Sequence, residues 1–168
     1  SFGQLKDIST EALVGYDIVI VGASDSVSDD KKVLALRSFA ENGGAVIVQH
    51  RASGYKWSTD RPLLFPEIAV GVDRSEDRKA IRRNELSAFS GFPELFNHSY
   101  YDHIVLKKGK DGEVLFVDSD EYPLVIYGKF GRGKVLVSGM ASGLSCPSGI
   151  YSNESVGIAD DEEKKIHS

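Results

Sequence analysis

The feature that most constrains this chain is a pair of apolar runs, Ile18-Val19-Ile20-Val21 and Ala45-Val46-Ile47-Val48-Gln49, with a helical pattern between them. Such uninterrupted runs suit strands buried on both faces of a parallel sheet. Between them, Ser28-Asp29-Asp30 offers N-cap side chains, and Val33, Leu34, Leu36, Arg37, Phe39 and Ala40 follow the spacing of an amphipathic helix. Asn42-Gly43-Gly44 supplies the left-handed residue that ends it. A crossover of this kind sets the two strands parallel with a right-handed connection. The fold class is α/β.

Functional loops of α/β proteins lie beyond the carboxyl ends of parallel strands. Two loops qualify, Gly22-Ala23-Ser24-Asp25-Ser26 and His50-Arg51-Ala52-Ser53-Gly54, and both are expected on one rim. His50 suits acid–base work because imidazole titrates near neutrality; the plainer reading is a ring hydrogen-bonded to nearby backbone. Arg51 can clamp a carboxylate or phosphate, or pair with an acid such as Asp25.

Farther along, Glu67 to Val72 fits a strand, and Asp73 to Ala88 alternates charges in a way that fits either a short helix or an excursion. Residues 103–107, 114–117, 123–130 and 134–138 read as four strands joined by Gly-rich turns, a meander or hairpin at the sheet's edge. A length of 168 residues suits one domain spanning 1–168. The start at Ser1 and an acidic-then-basic helical pattern from Asp160 suggest a domain of a longer polypeptide.

Charge narrows the partners. A net charge of −5 with only short basic stretches argues against nucleic acid, and no apolar run approaches the roughly 20 residues needed to span a bilayer. A single cysteine, Cys146, makes neither an internal disulfide nor a CxxC site, which fits a reducing, cytoplasmic location.

The order L-x-G-Y-D-I-V-I-V (13–21), helix, N-G-G-A-V-I-V-Q-H (42–50) and E-Y-P-L-V-I-Y-G-K-F-G-R-G-K-V-L-V-S-G (121–139) resembles the class I glutamine amidotransferase-like superfamily, and within it the ThuA-like branch linked to trehalose utilisation. The segment from Ser152 to Ile166 resembles the final helix of such domains. The resemblance implies a three-layer, flavodoxin/amidotransferase-like sandwich: a mostly parallel central sheet, helices on both faces, and an antiparallel extension from the meander. It also implies a first strand and helix preceding residue 1.

Amidotransferases carry a cysteine in an elbow after the strand matching 45–49 and a His-x-Glu pair after a later strand. Here the elbow reads Gln49-His50-Arg51-Ala52-Ser53-Gly54 and the later strand runs into Ser138-Gly139-Met140-Ala141-Ser142-Gly143. Acyl transfer needs a thiolate or activated hydroxyl beside a base, so amidotransferase activity is not expected. Cys146 has no cationic neighbour to activate its thiol. His50 matches a histidine that ThuA-like domains also carry.

Other constellations are weaker. His98, His103, Asp102 and His50 contain zinc-binding residue types, but the spacing matches no zinc motif, and no metal or cofactor is expected. Gly128 to Lys134 joins two strands, unlike a phosphate loop, and Asp118-Ser119-Asp120-Glu121 lacks a calcium-loop frame.

Three readings follow. The first is a non-catalytic domain with a cleft for a sugar-like ligand or a partner, formed by Ser24, His50, Arg51, Ser53, Glu121, Met140 and Ser142. The second is a sugar- or glycoside-metabolising enzyme with His50 as acid or base and Asp25 or Glu121 beside it. The third is a structural, homo-oligomer-forming module. The first ranks highest because the amidotransferase triad is missing. The interaction reading expects an exposed apolar patch from Trp57, Leu63, Leu64 and Phe65.

Overall fold

A computed structural model describes residues 8–22, 29–55, 63–84, 91, 93–142, 144–145 and 157–158. A turn closed by Leu13 N–H on the Ser9 carbonyl leads into β1 (Ile18–Val21), α1 (Asp30–Glu41) and β2 (Ala45–Gln49). The side chain of Asp29 caps α1 by accepting from Lys31 N–H at 2.8 Å, and Gly43, at φ +114°, turns the chain after Asn42. β1 and β2 pair in parallel, Val21 opposite Val48, so both carboxyl ends leave on one rim.

The remaining strands are β3 (Ala69–Ser75), β4 (Lys79–Arg82), β5 (Leu95–Asn97), β6 (His103–Lys108), β7 (Gly112–Val117), β8 (Pro123–Phe130), β9 (Gly133–Ser138), β10 (Leu144–Ser145) and β11 (Gly157–Ile158). The segment from Asp73 to Ala88 is therefore no helix where it is described; it finishes β3 and forms β4. Seven strands make the main sheet in the order β1-β2-β9-β8-β7-β4-β5. β9 joins β2 in parallel, and every pairing from β9 through β5 is antiparallel. β3 and β6 form a separate antiparallel ribbon, bulged between Gly71 and Asp73.

Two expectations need correcting. The sheet is mixed rather than mostly parallel, because the short Gly-rich turn between β8 and β9 reverses the chain and leaves no room for a crossover helix. That meander lies in the middle of the sheet, not at its edge, while β6 leaves it for the ribbon. Among the described residues there is one α-helix, so helices on both faces are not seen; the helix expected from Asp160 lies outside those residues.

One core holds α1 and the ribbon against one face of the sheet. Val33 and Leu36 of α1, Ile104 and Leu106 of β6, and Val46, Val48, Val135 and Val137 of the sheet are buried in a single cluster. Leu36 is fully buried, a position where truncation to alanine typically costs about 2–5 kcal/mol. Leu64 and Phe65 join this core, so they form no exposed patch; Leu63 is half-exposed and Trp57 lies outside the described residues. A second cluster, with Phe96, Phe116, Leu124, Val125 and Met140, fills the space under β4, β5, β7 and β8.

β1 departs from its pattern. Val19 and Val21 face the core, whereas Ile18 and Ile20 are about half exposed, because β1 is an edge strand whose outer face no described residue covers. No helix among the described residues is long and apolar enough to cross a membrane.

Candidate functional site

β2 ends in an abrupt change of backbone. Gln49 is extended, and His50 follows at φ +51°, a conformation that costs a non-glycine residue about 1 kcal/mol or more. A 3-10 turn, His50–Ser53, comes next and closes at Gly54 with φ +93°. The Ser53 hydroxyl donates to the His50 carbonyl at 2.6 Å, which holds the elbow shut. The bend turns His50 inward, where it is 2% exposed.

The ribbon supplies its surroundings. Asp102, just before β6, is buried, and its Oδ1 lies 3.3 Å from His50 Nε2. Arg74 of β3, paired in register with Ile104, places Nε 2.5 Å from the other oxygen, Oδ2. Burial alone would raise the Asp102 carboxyl; the His50 imidazole and the Arg74 guanidinium outweigh it and hold the group below the ordinary carboxylate range. Tyr100 stands edge-on to His50 at 5.4 Å between ring centroids, and Arg74 lies over the Tyr101 ring at 5.0 Å. Among the described residues, the buried His50 Nε2 and Asp102 Oδ1 have no aligned hydrogen-bond partner, and neither has Ser142 Oγ, four residues after β9. His50 and Asp102 face one another in ion-pair range, without the alignment of a regular hydrogen bond.

A second polar cluster lies on β6 and its neighbours. His103 is fully buried, with Nδ1 2.8 Å from the Asp77 carbonyl oxygen and Nε2 3.3 Å from Asp118 Oδ2. His98 Nε2 lies 3.1 Å from that same carbonyl. Asp118 also accepts from the backbone N–H groups of Asp120 and Tyr122, capping the turn between β7 and β8. The sequence Asp118 to Glu121 is thus a turn whose first carboxylate points inward.

The expected site residues separate. His50 and Ser53 form the elbow, and Arg51 lies half-buried in its 3-10 turn. Ser24 and Asp25 lie outside the described residues, as does Cys146. Glu121, at φ +68°, pairs with Arg83, and no described contact links it to His50. Met140 is fully buried in the second apolar cluster rather than lining a recess. The four zinc-type residues divide between two places: Asp102 serves His50, while His98 and His103 face each other. Among the described residues, no group of three or more His, Cys, Asp or Glu is arranged to hold a metal ion.

No protein-family model matches the chain, and no curated protein matches it in sequence. Solved structures do. A cytoplasmic protein from Salmonella typhimurium LT2 aligns over 88% of this chain and 67% of its own length, with TM-score 0.64 and 18% identity. A Bacteroides uniformis protein described as ThuA-like aligns over 83% and 66%, with TM-score 0.61 and 17% identity. A β-galactosidase from Bacillus circulans matches 75% of this chain with 20% of its own length, at TM-score 0.60 and 15% identity. The chain thus spans about two thirds of the first two proteins and a fifth of the third. At these identities the likeness is one of fold: an α/β fold shared with a ThuA-like protein.

Proposed function

We propose that this chain is a ThuA-like, amidotransferase-type domain that binds a small, sugar-like ligand at the rim of β2 and β9 and performs no amidotransferase chemistry. One observation carries the reading: the strained elbow after β2, where an amidotransferase needs its thiol, holds a buried histidine backed by Asp102. An imidazole there orients a polar ligand but cannot form an acyl intermediate with the economy of a thiolate. The neighbouring orphan atoms favour a ligand rich in hydroxyl groups, since buried polar atoms are ordinarily satisfied. Arg51, Ser53 and Ser142 belong to the same rim in this reading. The domain works in the cytoplasm as part of a longer polypeptide or a homo-oligomer, without nucleic acid or membrane.

A thermal-shift panel of mono- and disaccharides tests it. A ligand at 100 times its dissociation constant stabilises the native state by about 2.7 kcal/mol, and His50→Gln should abolish the shift. A panel in which no sugar stabilises the chain, or in which His50→Gln responds like the parent, overturns the reading.

The pairing of His50 with Asp102 favours a second reading, an acid–base enzyme acting on a sugar or glycoside, with Asp102 in the place expected for Asp25 or Glu121. Turnover of nitrophenyl glycosides that disappears in His50→Gln would support it; no turnover by the parent chain removes it.

A further inference from the structure

Arg74 meets Asp102 through Nε and leaves part of its guanidinium in solvent. Nε is committed to Asp102 Oδ2 at 2.5 Å, the plane lies over Tyr101, and the side chain remains 38% exposed. The far edge of the guanidinium is formed by Nη1 and Nη2. That edge carries parallel N–H groups whose spacing matches two oxygens of a carboxylate or phosphate. A guanidinium already fixed by a buried carboxylate and an aromatic ring loses little freedom on capturing an anion.

Beside it stand His50 Nε2 and Asp102 Oδ1, neither with an aligned hydrogen-bond partner among the described residues. An imidazole N–H next to a carboxylate oxygen presents a donor beside an acceptor, and a hydroxyl group can answer both. We infer that the ligand is a polyhydroxylated compound bearing an oxyanion, with the anion on the Nη edge of Arg74 and hydroxyls toward His50 and Asp102. This rests on the reading of the rim as a ligand site and narrows it to a chemical class.

Calorimetric titration of the full chain with glucuronate, glucose 6-phosphate and glucose tests the inference. At least one anionic compound should bind tenfold or more tighter than glucose, and which one prevails separates carboxylate from phosphate. Arg74→Lys keeps the charge but loses the fork, so the preference should fall at least fivefold. Because a lone change at Arg74 leaves Asp102 unpaired, the double variant Arg74→Met with Asp102→Asn serves as a second probe and should show no preference for anions. Glucose binding as tightly as both anions overturns the oxyanion while leaving the rim a sugar site. If none of the three binds and the His50 imidazole resonances do not move, the site and this inference fall together.

Discussion

His98 and His103 aim ring nitrogens at one atom: Nε2 of the first and Nδ1 of the second lie 3.1 and 2.8 Å from the Asp77 carbonyl oxygen, and 3.3 Å from each other. Both nitrogens serve that acceptor as donors. His98 therefore keeps its proton on Nε2 and leaves Nδ1 bare and buried, with no aligned hydrogen-bond partner among the described residues. A second proton on His98 would be buried beside His103 and Arg78.

Burial, with those neighbours, lowers the His98 pKa from 6.5 to about 4. The unfolded chain takes up this proton near pH 6.5, whereas the folded chain refuses it until about pH 4. Stability is full above pH 6.5 and falls with acidification by as much as about 1.4 kcal/mol per pH unit, about 3 kcal/mol in all. Urea midpoints followed from pH 7 to 4 should show this slope, and His98→Gln should flatten it. An equal slope in the variant would assign the acid sensitivity elsewhere.

The Arg74–Asp102 pair predicts an order of stabilities. Asp102 is buried and Arg74 is more than one third exposed, so losing the arginine strands a buried charge while losing the carboxylate does not. Arg74→Met should cost about 3–5 kcal/mol, and Asp102→Asn less. The double variant should recover part of the Arg74→Met loss. Because the folded Asp102 carboxyl lies below its ordinary range, its contribution is present above about pH 4 and disappears as pH falls through the lowered value. Chemical denaturation of the three variants at pH 7 and pH 3 checks both the order and the sign.

At His50 the backbone can be separated from the ring. Glycine and alanine both remove the imidazole and its contact with Tyr100, but only glycine accepts φ +51° without strain. His50→Gly should therefore be more stable than His50→Ala by about 1 kcal/mol, although both fall below the parent. Equal stabilities would mean that the elbow relaxes once the ring is gone, and that the histidine itself imposes the bend.

The sequence was most legible where structure is local. The first strand–helix–strand unit, its caps and the placement of His50 at a strand's carboxyl end follow from periodicity and turn chemistry over about 30 residues. The partner of His50 does not. Asp102 lies far along the chain, and its approach depends on β3 and β6 leaving the main sheet to form a ribbon, which no local pattern encodes. Arg74 was hidden in a charge-alternating stretch that fits a helix as well as a strand. Met140 reads as a rim residue from its position after β9, yet it serves the second core. Ile18 and Ile20 look doubly buried in sequence because a parallel-strand pattern does not reveal which strand is at the edge.

Gly139 shows how the ribbon is locked to the rim. Its N–H donates to the Leu124 carbonyl at 2.8 Å, and its carbonyl accepts from Ile104 N–H at 2.9 Å, so the end of β9 touches β6 directly, two residues from Asp102. A Cβ at this position would overlap the Ile104 carbonyl oxygen and carbon, which are backbone atoms and cannot rotate away. Gly139→Ala should cost about 2–4 kcal/mol, the upper range for overpacking, because the ribbon must move as a unit. Gly22→Ala, where an added Cβ meets nothing within 4 Å, is the matched control and should stay within about 0.5 kcal/mol of the parent. Displacing β6 also displaces Tyr100 and Asp102 from His50, so Gly139→Ala should weaken any sugar-dependent thermal shift at temperatures where the variant is still folded. Urea unfolding of both variants, followed by the sugar panel, separates a simple stability defect from loss of the His50–Asp102 geometry. A Gly139→Ala protein as stable as the Gly22→Ala control would show that β9 and β6 do not approach as closely as their hydrogen bond requires.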